Sequence, residues 1–256
     1  MQAHNTATES TNKIHDDDVA RTFGFKGGLV PGVDVYAYLC HLPAARWGTA
    51  WLASGSISAR FRTPVYDGDR VVVRASEVAD DVLALTLVDS AGVECATATA
   101  ALVGSPVDVT ARPAGVLPAT GDRPDASPAS LAAGTVLGPV EAGFHAGKAA
   151  EYLDDVREPL PLYVDARVAH PGWLLRFANT VLASNVRLGP WIHVGSDVTF
   201  VDVVHDGDHV EARATVVDEH ERKGHRFVVL DVVLTADGRP VQHVTHTAIH
   251  TPRRNS

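Results

Sequence analysis

Arg60-Phe61-Arg62-Thr63-Pro64-Val65-Tyr66-Asp67-Gly68-Asp69 and Thr199-Phe200-Val201-Asp202-Val203-Val204-His205-Asp206-Gly207-Asp208 are two versions of one segment, each running from apolar residues into an Asp-Gly-Asp turn. Upstream, Val30-Pro31-Gly32 is echoed by His170-Pro171-Gly172. A segment repeated together with its upstream partner implies two copies of one fold. The 256 residues leave room for two units of about 100 to 130 residues, each large enough for its own core.

The flanking sequence supplies the parts of each copy. Gly32 to His41 is apolar on nearly every side and lies between Pro31 and Pro43, which predicts a buried helix bounded by the two prolines. Four strand-like runs follow: Ser54–Phe61, Asp69–Val78, Val82–Asp89 and Val93–Val103, with turns at Tyr66 to Asp69 and Asp89 to Gly92. In the second copy Pro171–Asn185 is the apolar helix, and Val194–Phe200, Asp208–Asp218, His225–Thr235 and Pro240–Ile249 are the strands. Asp16-Asp17-Asp18 opens a short helix, with acidic groups in its first turn complementing the helix dipole. Gly143–Asp155 holds another helical stretch.

Between the copies, residues 105–134 shift to Pro, Ala, Gly, Asp and Ser without apolar periodicity, as a connection does. The expected organisation is residues 1–104, a linker over 105–134, and residues 135–256. A sheet of four antiparallel strands buries one face by wrapping around its helix, and two such units set edge to edge share one sheet. The fold class is α+β, and the arrangement resembles a double hotdog.

Apolar residues make up 45% of the chain and charged residues 21%, the composition of an ordinary globular protein. A net charge of −9 without a basic block argues against nucleic acid as a partner. Cys40 and Cys95 stand in apolar or small-residue settings, which suits a reduced compartment and a packing role. The polar N-terminus and the lack of a long apolar run point to neither export nor membrane spanning, so the expected location is the cytoplasm.

The stretch Asn12-Lys13-Ile14-His15-Asp16-Asp17, with Phe23-Gly24-Phe25 and Gly28-Leu29-Val30-Pro31-Gly32, resembles the hydratase motif of MaoC-like dehydratases and (R)-specific enoyl-CoA hydratases. The resemblance implies a lyase acting on an enoyl or 3-hydroxyacyl thioester of CoA or an acyl-carrier protein, with no cofactor. In that family an Asp and a His five residues apart share a water, and the N–H of the Gly opening the central helix holds the thioester oxygen. Carried across, the His is His15, the Asn is Asn12 and the helix Gly is Gly32.

Three positions depart from the motif. Ser10 stands where the Asp belongs, with Glu9 beside it, Lys13 replaces a Pro, and Pro31 replaces the turn His. The second copy keeps a different fragment: Glu158 at the Asp position, Pro161 at the Pro position, Tyr163 at the His position, and His170 and Gly172 at the turn His and helix Gly.

Each candidate has a plainer reading beside the chemical one. His15 is a proton-transfer group or a capping His before the acidic helix. Asp17 is a proton carrier or a helix-turn partner, and Tyr163 an acid or core. Glu158 is a remnant carboxylate or a surface acid in a Pro-rich turn. Gly32 and Gly172 serve a tight turn whether or not their N–H groups hold an oxyanion. Arg60, Arg62, Arg70 and Arg74 alternate on neighbouring strands and either meet CoA phosphates or serve solubility. His243, His246 and His250 lie on one strand without a recognised metal-ligand spacing, so no metal is expected.

The competing functions are thioester hydrolysis, for which Asp34 is the available acid, and non-catalytic thioester binding. A homodimer is compatible with an exposed sheet edge.

Overall fold

The computed structural model describes residues 1–7, 10–103, 109–110 and 112–253. A short 3₁₀ turn at Lys13–His15 leads into α1 (Asp17–Thr22), followed by α2 (Gly32–Trp47) and α3 (Thr49–Ser54). Strands β1 (Gly55–Phe61), β2 (Val71–Ala79), β3 (Val82–Asp89) and β4 (Glu94–Leu102) complete the first half. The second half contains β5 (Val140–Gly143), α4 (Ala146–Asp155), α5 (Leu162–Asp165) and α6 (Pro171–Asn185). Strands β6 (Ile192–Phe200), β7 (His209–Arg222), β8 (His225–Ala236) and β9 (Arg239–Thr251) follow.

All nine strands form one sheet in the order β2-β3-β4-β1-β6-β9-β8-β7-β5. Every adjacent pair is antiparallel. The two halves meet where β1 pairs with its counterpart β6, in the register Ala59↔Ser196. The repeat read in the sequence is thus a pseudo-twofold in space: β1, β4, β3 and β2 run outward on one side, and β6, β9, β8 and β7 on the other. This is the double hotdog arrangement.

Helices α2 and α6 lie side by side in the concave face of the sheet. Tyr36, Leu39 and Cys40 of α2, Leu175 and Leu182 of α6, and Leu85, Leu87, Val232 and Leu234 of the sheet are fully or almost fully buried. An all-round apolar helix needs such a covering, and each large aliphatic side chain so buried contributes about 1.5 to 3 kcal/mol.

Pro43 does not end α2, which continues to Trp47. A proline inside a helix leaves the carbonyl four residues back without its donor. Here Pro43 and Ala44 are both buried, and burial carries the helix through the break. The stop comes at Gly48, whose φ of 59° suits glycine and whose N–H bonds the Ala44 carbonyl.

The Pro- and Ala-rich connection is exposed along much of its described length, Val116 to 92%, but is pinned at several points. Leu131 and Leu137 are buried, the Gly134 and Leu137 N–H groups bond the Val216 and Ala214 carbonyls of β7, and Arg112 pairs with Asp231 at 2.7 Å. Residues 104–108 and 111 of this segment, and 254–256 of the basic tail, lie outside the described residues. No described helix is long and apolar enough to cross a membrane.

Candidate functional site

His15 closes the 3₁₀ turn that precedes α1, and its ring is held from both sides. The Nδ1–H donates to the Leu29 carbonyl at 2.6 Å, which leaves the lone pair on Nε2. Asn12 Nδ2 lies 3.3 Å from that Nε2, a long hydrogen bond that a tighter donor can displace. Burial pushes the His15 pKa below its ordinary 6.5, and the Leu29 carbonyl and Asp34 only partly offset it. The ring is therefore neutral at neutral pH, with a defined tautomer.

Asn12 is fixed by the other half of the molecule. Its Oδ1 accepts the Trp191 N–H at 3.1 Å and its Nδ2 donates to the Trp191 carbonyl at 3.0 Å. Because one end meets an N–H and the other a C=O, the amide orientation is determined. Oδ1 also accepts the Ile14 N–H, so Asn12 pins the His15 turn to the segment leading into β6.

Two cavities meet at this ring. One, of about 250 Å³, is lined mainly by apolar residues, among them Ile14, Phe25, Val35, Phe61 and Ile249, together with His15, Gly32 and His193. The other, about 430 Å³ and more open, is lined by Thr6, Ser10, Thr11, Arg176 and Thr180. They share Asn12, His15, Pro31, Asn179 and Trp191. The Asn179 Oδ1 atom is buried there without a hydrogen-bond partner.

Gly32 begins α2 at the wall of the smaller cavity. No side chain caps this helix and the Asp34 N–H bonds the Pro31 carbonyl, so the Gly32 and Val33 N–H groups and the positive end of the dipole are available to a ligand oxygen. A side chain at this position would collide with His193, whose Nδ1 lies 2.9 Å from where a Cβ would stand. His193 is buried to 6% exposure. Burial first, and then the His246 ring, push its pKa well below 6.5, with the Gly195 backbone opposing.

Three of the five candidate residues, His15, Asn12 and Gly32, therefore line one cavity. Asp17 does not. Its carboxylate accepts the Gly28 N–H at 2.8 Å and pairs with Arg21 at 3.1 Å, which makes it the helix-turn partner that its position suggested. Glu9 lies outside the described residues. Among the described residues, none lining the smaller cavity is an Asp or a Glu.

Glu158 belongs to the second half and is not a surface acid. Its side chain is 2% exposed, with His41 Nδ1 at 2.9 Å and His170 Nε2 at 3.7 Å. Burial would raise its pKa, but His170, His41 and the Leu160 N–H outweigh that and hold it at about 2. The second half has a cavity of its own, of about 160 Å³, lined by Phe144, Tyr152, Val168, His170 and Trp173 among others, and Gly172 is not among its lining residues. The Gly172 N–H is already taken by His170 Nδ1 at 3.0 Å, and the Tyr152 hydroxyl occupies the space beside its Cα. Tyr163 is core.

Asp34 is fully buried and accepts from Arg176 at 2.8 Å and from the Thr6 hydroxyl at 2.6 Å. It is a structural link between α2 and α6, not a free carboxylate. Two of the four arginines meet acids: Arg60 pairs with Asp197 and Arg62 with Glu94. His243 and His250 bond Asp231 and Glu219, and among the described residues no cluster of three metal-donor groups occurs.

Sequence reasoning passed over His193, Trp191 and Asn179. His193 sits at the start of β6, among apolar residues, and the only sequence signal was that β6 is the counterpart of β1, the strand that meets it at the junction.

The chain is thus a double hotdog with one half-site open at a helix N-terminus beside a histidine and the other with its helix glycine N–H already bonded. Comparison with solved structures agrees. A MaoC-like dehydratase superposes with a TM-score of 0.62 at 15% identity, covering 97% of this chain and 91% of its own. A protein named as a MaoC domain dehydratase from Chloroflexus aurantiacus gives 0.65 at 11% identity, over 96% and 89% of the two chains. A conserved protein of Mycobacterium tuberculosis, described as a double hotdog, gives 0.62 at 16% over 97% and 93%. The same architecture occurs in a Lactobacillus plantarum protein named as an oleoyl thioesterase, at 0.52 and 13% over 92% of each chain. At such identities the likeness defines the fold. No protein-family model and no curated protein matches the chain.

Proposed function

We propose that this chain binds an acyl thioester in the cavity at His15 and interconverts its 3-hydroxyacyl and trans-2-enoyl forms by loss or addition of water. The carrying observation is the fixed ring of His15: Nδ1–H on the Leu29 carbonyl at 2.6 Å, Nε2 carrying a lone pair in a cavity that also exposes the uncapped start of α2.

In the dehydrating direction Nε2 takes the α-proton, and the charge that moves onto the thioester oxygen is met by the Gly32 N–H. The C–O bond at the β-carbon then breaks. The departing hydroxide takes the proton back from His15, so one water leaves and the ring returns to its starting state. Hydration is the reverse. A neutral histidine held in one tautomer serves both directions, since it must accept and return the same proton. The apolar cavity accommodates the acyl chain, and the polar one beyond His15 accommodates the carrier.

A second reading, binding without turnover, is favoured by one observation: among the described residues no carboxylate lines the smaller cavity. Hydrolysis is disfavoured, because Asp34 is committed to Arg176 and Thr6. The deciding measurement is the loss of enoyl absorbance when purified protein meets trans-2-enoyl-CoA of graded chain length. Turnover that disappears in His15→Ala supports the lyase reading. Saturable binding with no turnover in the unaltered protein would establish the second.

A further inference from the structure

The cavity contains a second imidazole, contributed by the other half of the molecule, that the mechanism above leaves unused. His193 is 6% exposed, its Nδ1 has no hydrogen-bond partner, and that atom lies against Gly32. Its other nitrogen, Nε2, is 2.8 Å from Ser196 Oγ. Ser196 Oγ is in turn 3.0 Å from His246 Nδ1, and the two rings stack with centroids 4.2 Å apart. His246 is fully buried and its Nε2 is also without a partner.

A serine hydroxyl has one proton, so it bridges the two rings in one of two directions. If Ser196 donates to His246, then His246 must carry its proton on Nε2, where an N–H is stranded in the core. If His246 Nδ1–H donates to Ser196 and Ser196 donates to His193 Nε2, the stranded atom of His246 is only a lone pair. Each direction leaves one buried N–H unpaired, on His246 Nε2 or on His193 Nδ1, and of the two residues only His193 lines the cavity, where a ligand oxygen can accept it. The second direction places the remaining proton on His193 Nδ1, beside the start of α2 and at the cavity.

We propose that the His193 Nδ1–H is a second donor to the thioester oxygen, acting beside the Gly32 N–H, and that Ser196 and His246 are positioning residues that set its tautomer. This rests on the reading of the cavity as a thioester site. A neutral imidazole suits this role, because burial at a helix N-terminus keeps it uncharged and it polarises a carbonyl without giving its proton away. The arrangement also explains the asymmetry of the molecule. In the second half the nitrogen nearest the helix glycine is His170 Nδ1, which accepts the Gly172 N–H and so removes a donor. In the first half the nitrogen nearest Gly32 supplies one.

The test compares His193→Leu, His193→Asn and Ser196→Ala with the unaltered protein on a short trans-2-enoyl-CoA. His193→Leu removes the donor and should lower kcat by about 10² to 10³-fold with KM nearly unchanged. His193→Asn, whose amide N–H falls near the Nδ1 position, should restore most of that loss. Ser196→Ala, which frees the tautomer, should show a smaller drop in kcat. An unchanged kcat in His193→Leu, while His15→Ala abolishes turnover, would overturn the proposal and leave the lyase reading intact.

A second measurement needs neither a variant nor turnover. Ring ¹⁵N resonances of His193 are recorded with an acyl-CoA thioester and with the matching thioether, which lacks the carbonyl. A protonated Nδ1 that shifts with the thioester alone supports the donor role. An unprotonated Nδ1, or equal shifts with both, overturns it even if the protein only binds.

Discussion

Arg176 of α6 donates to the carboxylate of Asp34 on α2 at 2.8 Å, and the two residues differ in burial: Asp34 is fully enclosed, whereas the Arg176 side chain remains 33% exposed. Thr6 bonds both partners, and the guanidinium also lies 4.6 Å over the Tyr152 ring. The central helices of the two halves are thus joined by charge as well as by packing.

The difference in burial makes the pair respond unequally to substitution. Arg176→Met leaves a carboxylate enclosed without its cation and should cost about 3 to 5 kcal/mol. Asp34→Asn leaves a guanidinium that can turn toward solvent and should cost about 1 to 2 kcal/mol. Urea unfolding of both variants checks this, and equal losses would contradict it.

Gly32 is the point where packing and chemistry compete for the same space. Gly32→Ala brings a methyl within 2.9 Å of His193 Nδ1 and 3.2 Å of its Cβ, so one of the two must shift. The expected cost is about 1 to 3 kcal/mol in stability, with loss of thioester binding even where the protein still folds. Calorimetric titration with an acyl-CoA measures the second effect separately from the first.

Much of this was legible in the sequence, and the reasons are physical. The repeat around Asp67-Gly68-Asp69 and Asp206-Gly207-Asp208 marks a turn that needs positive φ, and Gly68 and Gly207 adopt 78° and 96°. α6 begins and ends where the apolar run between Pro171 and Asn185 does. His15, Asn12 and Gly32 were found because their spacing is local. The buried state of Glu158 was not, because it depends on His41, 117 residues away. His193 escaped for the same reason: what makes it special is its contact with Gly32, a pairing created only when β1 meets β6.

Asn12→Ala tests that cross-half link. The substitution frees the Trp191 N–H and carbonyl and the His15 ring together, and should cost about 2 kcal/mol. It should also lower turnover, since the turn bearing His15 loses its anchor. Hydrogen exchange at the Trp191 amide reports the loss directly.

Acid should unfold the protein through its histidines before its carboxylates. His15, His170 and His193 have pKa values lowered from 6.5, chiefly by burial, and His246 lies at about 3 for the same reason. A group that binds its proton more readily in the unfolded chain contributes stability fully present above its unfolded pKa and lost as pH falls. Each should therefore remove about 1.4 kcal/mol per pH unit below 6.5 until its folded pKa is reached. His41, whose pKa is raised by its hydrogen bond to Glu158, acts in the opposite sense and offsets part of the loss. Glu158, at about 2, contributes stability above 4.5 that declines only below it. Urea midpoints should thus fall between pH 6.5 and 4.5, and His246→Gln should flatten the decline. A midpoint constant across that window would mean that these rings are free to take up protons in the folded protein.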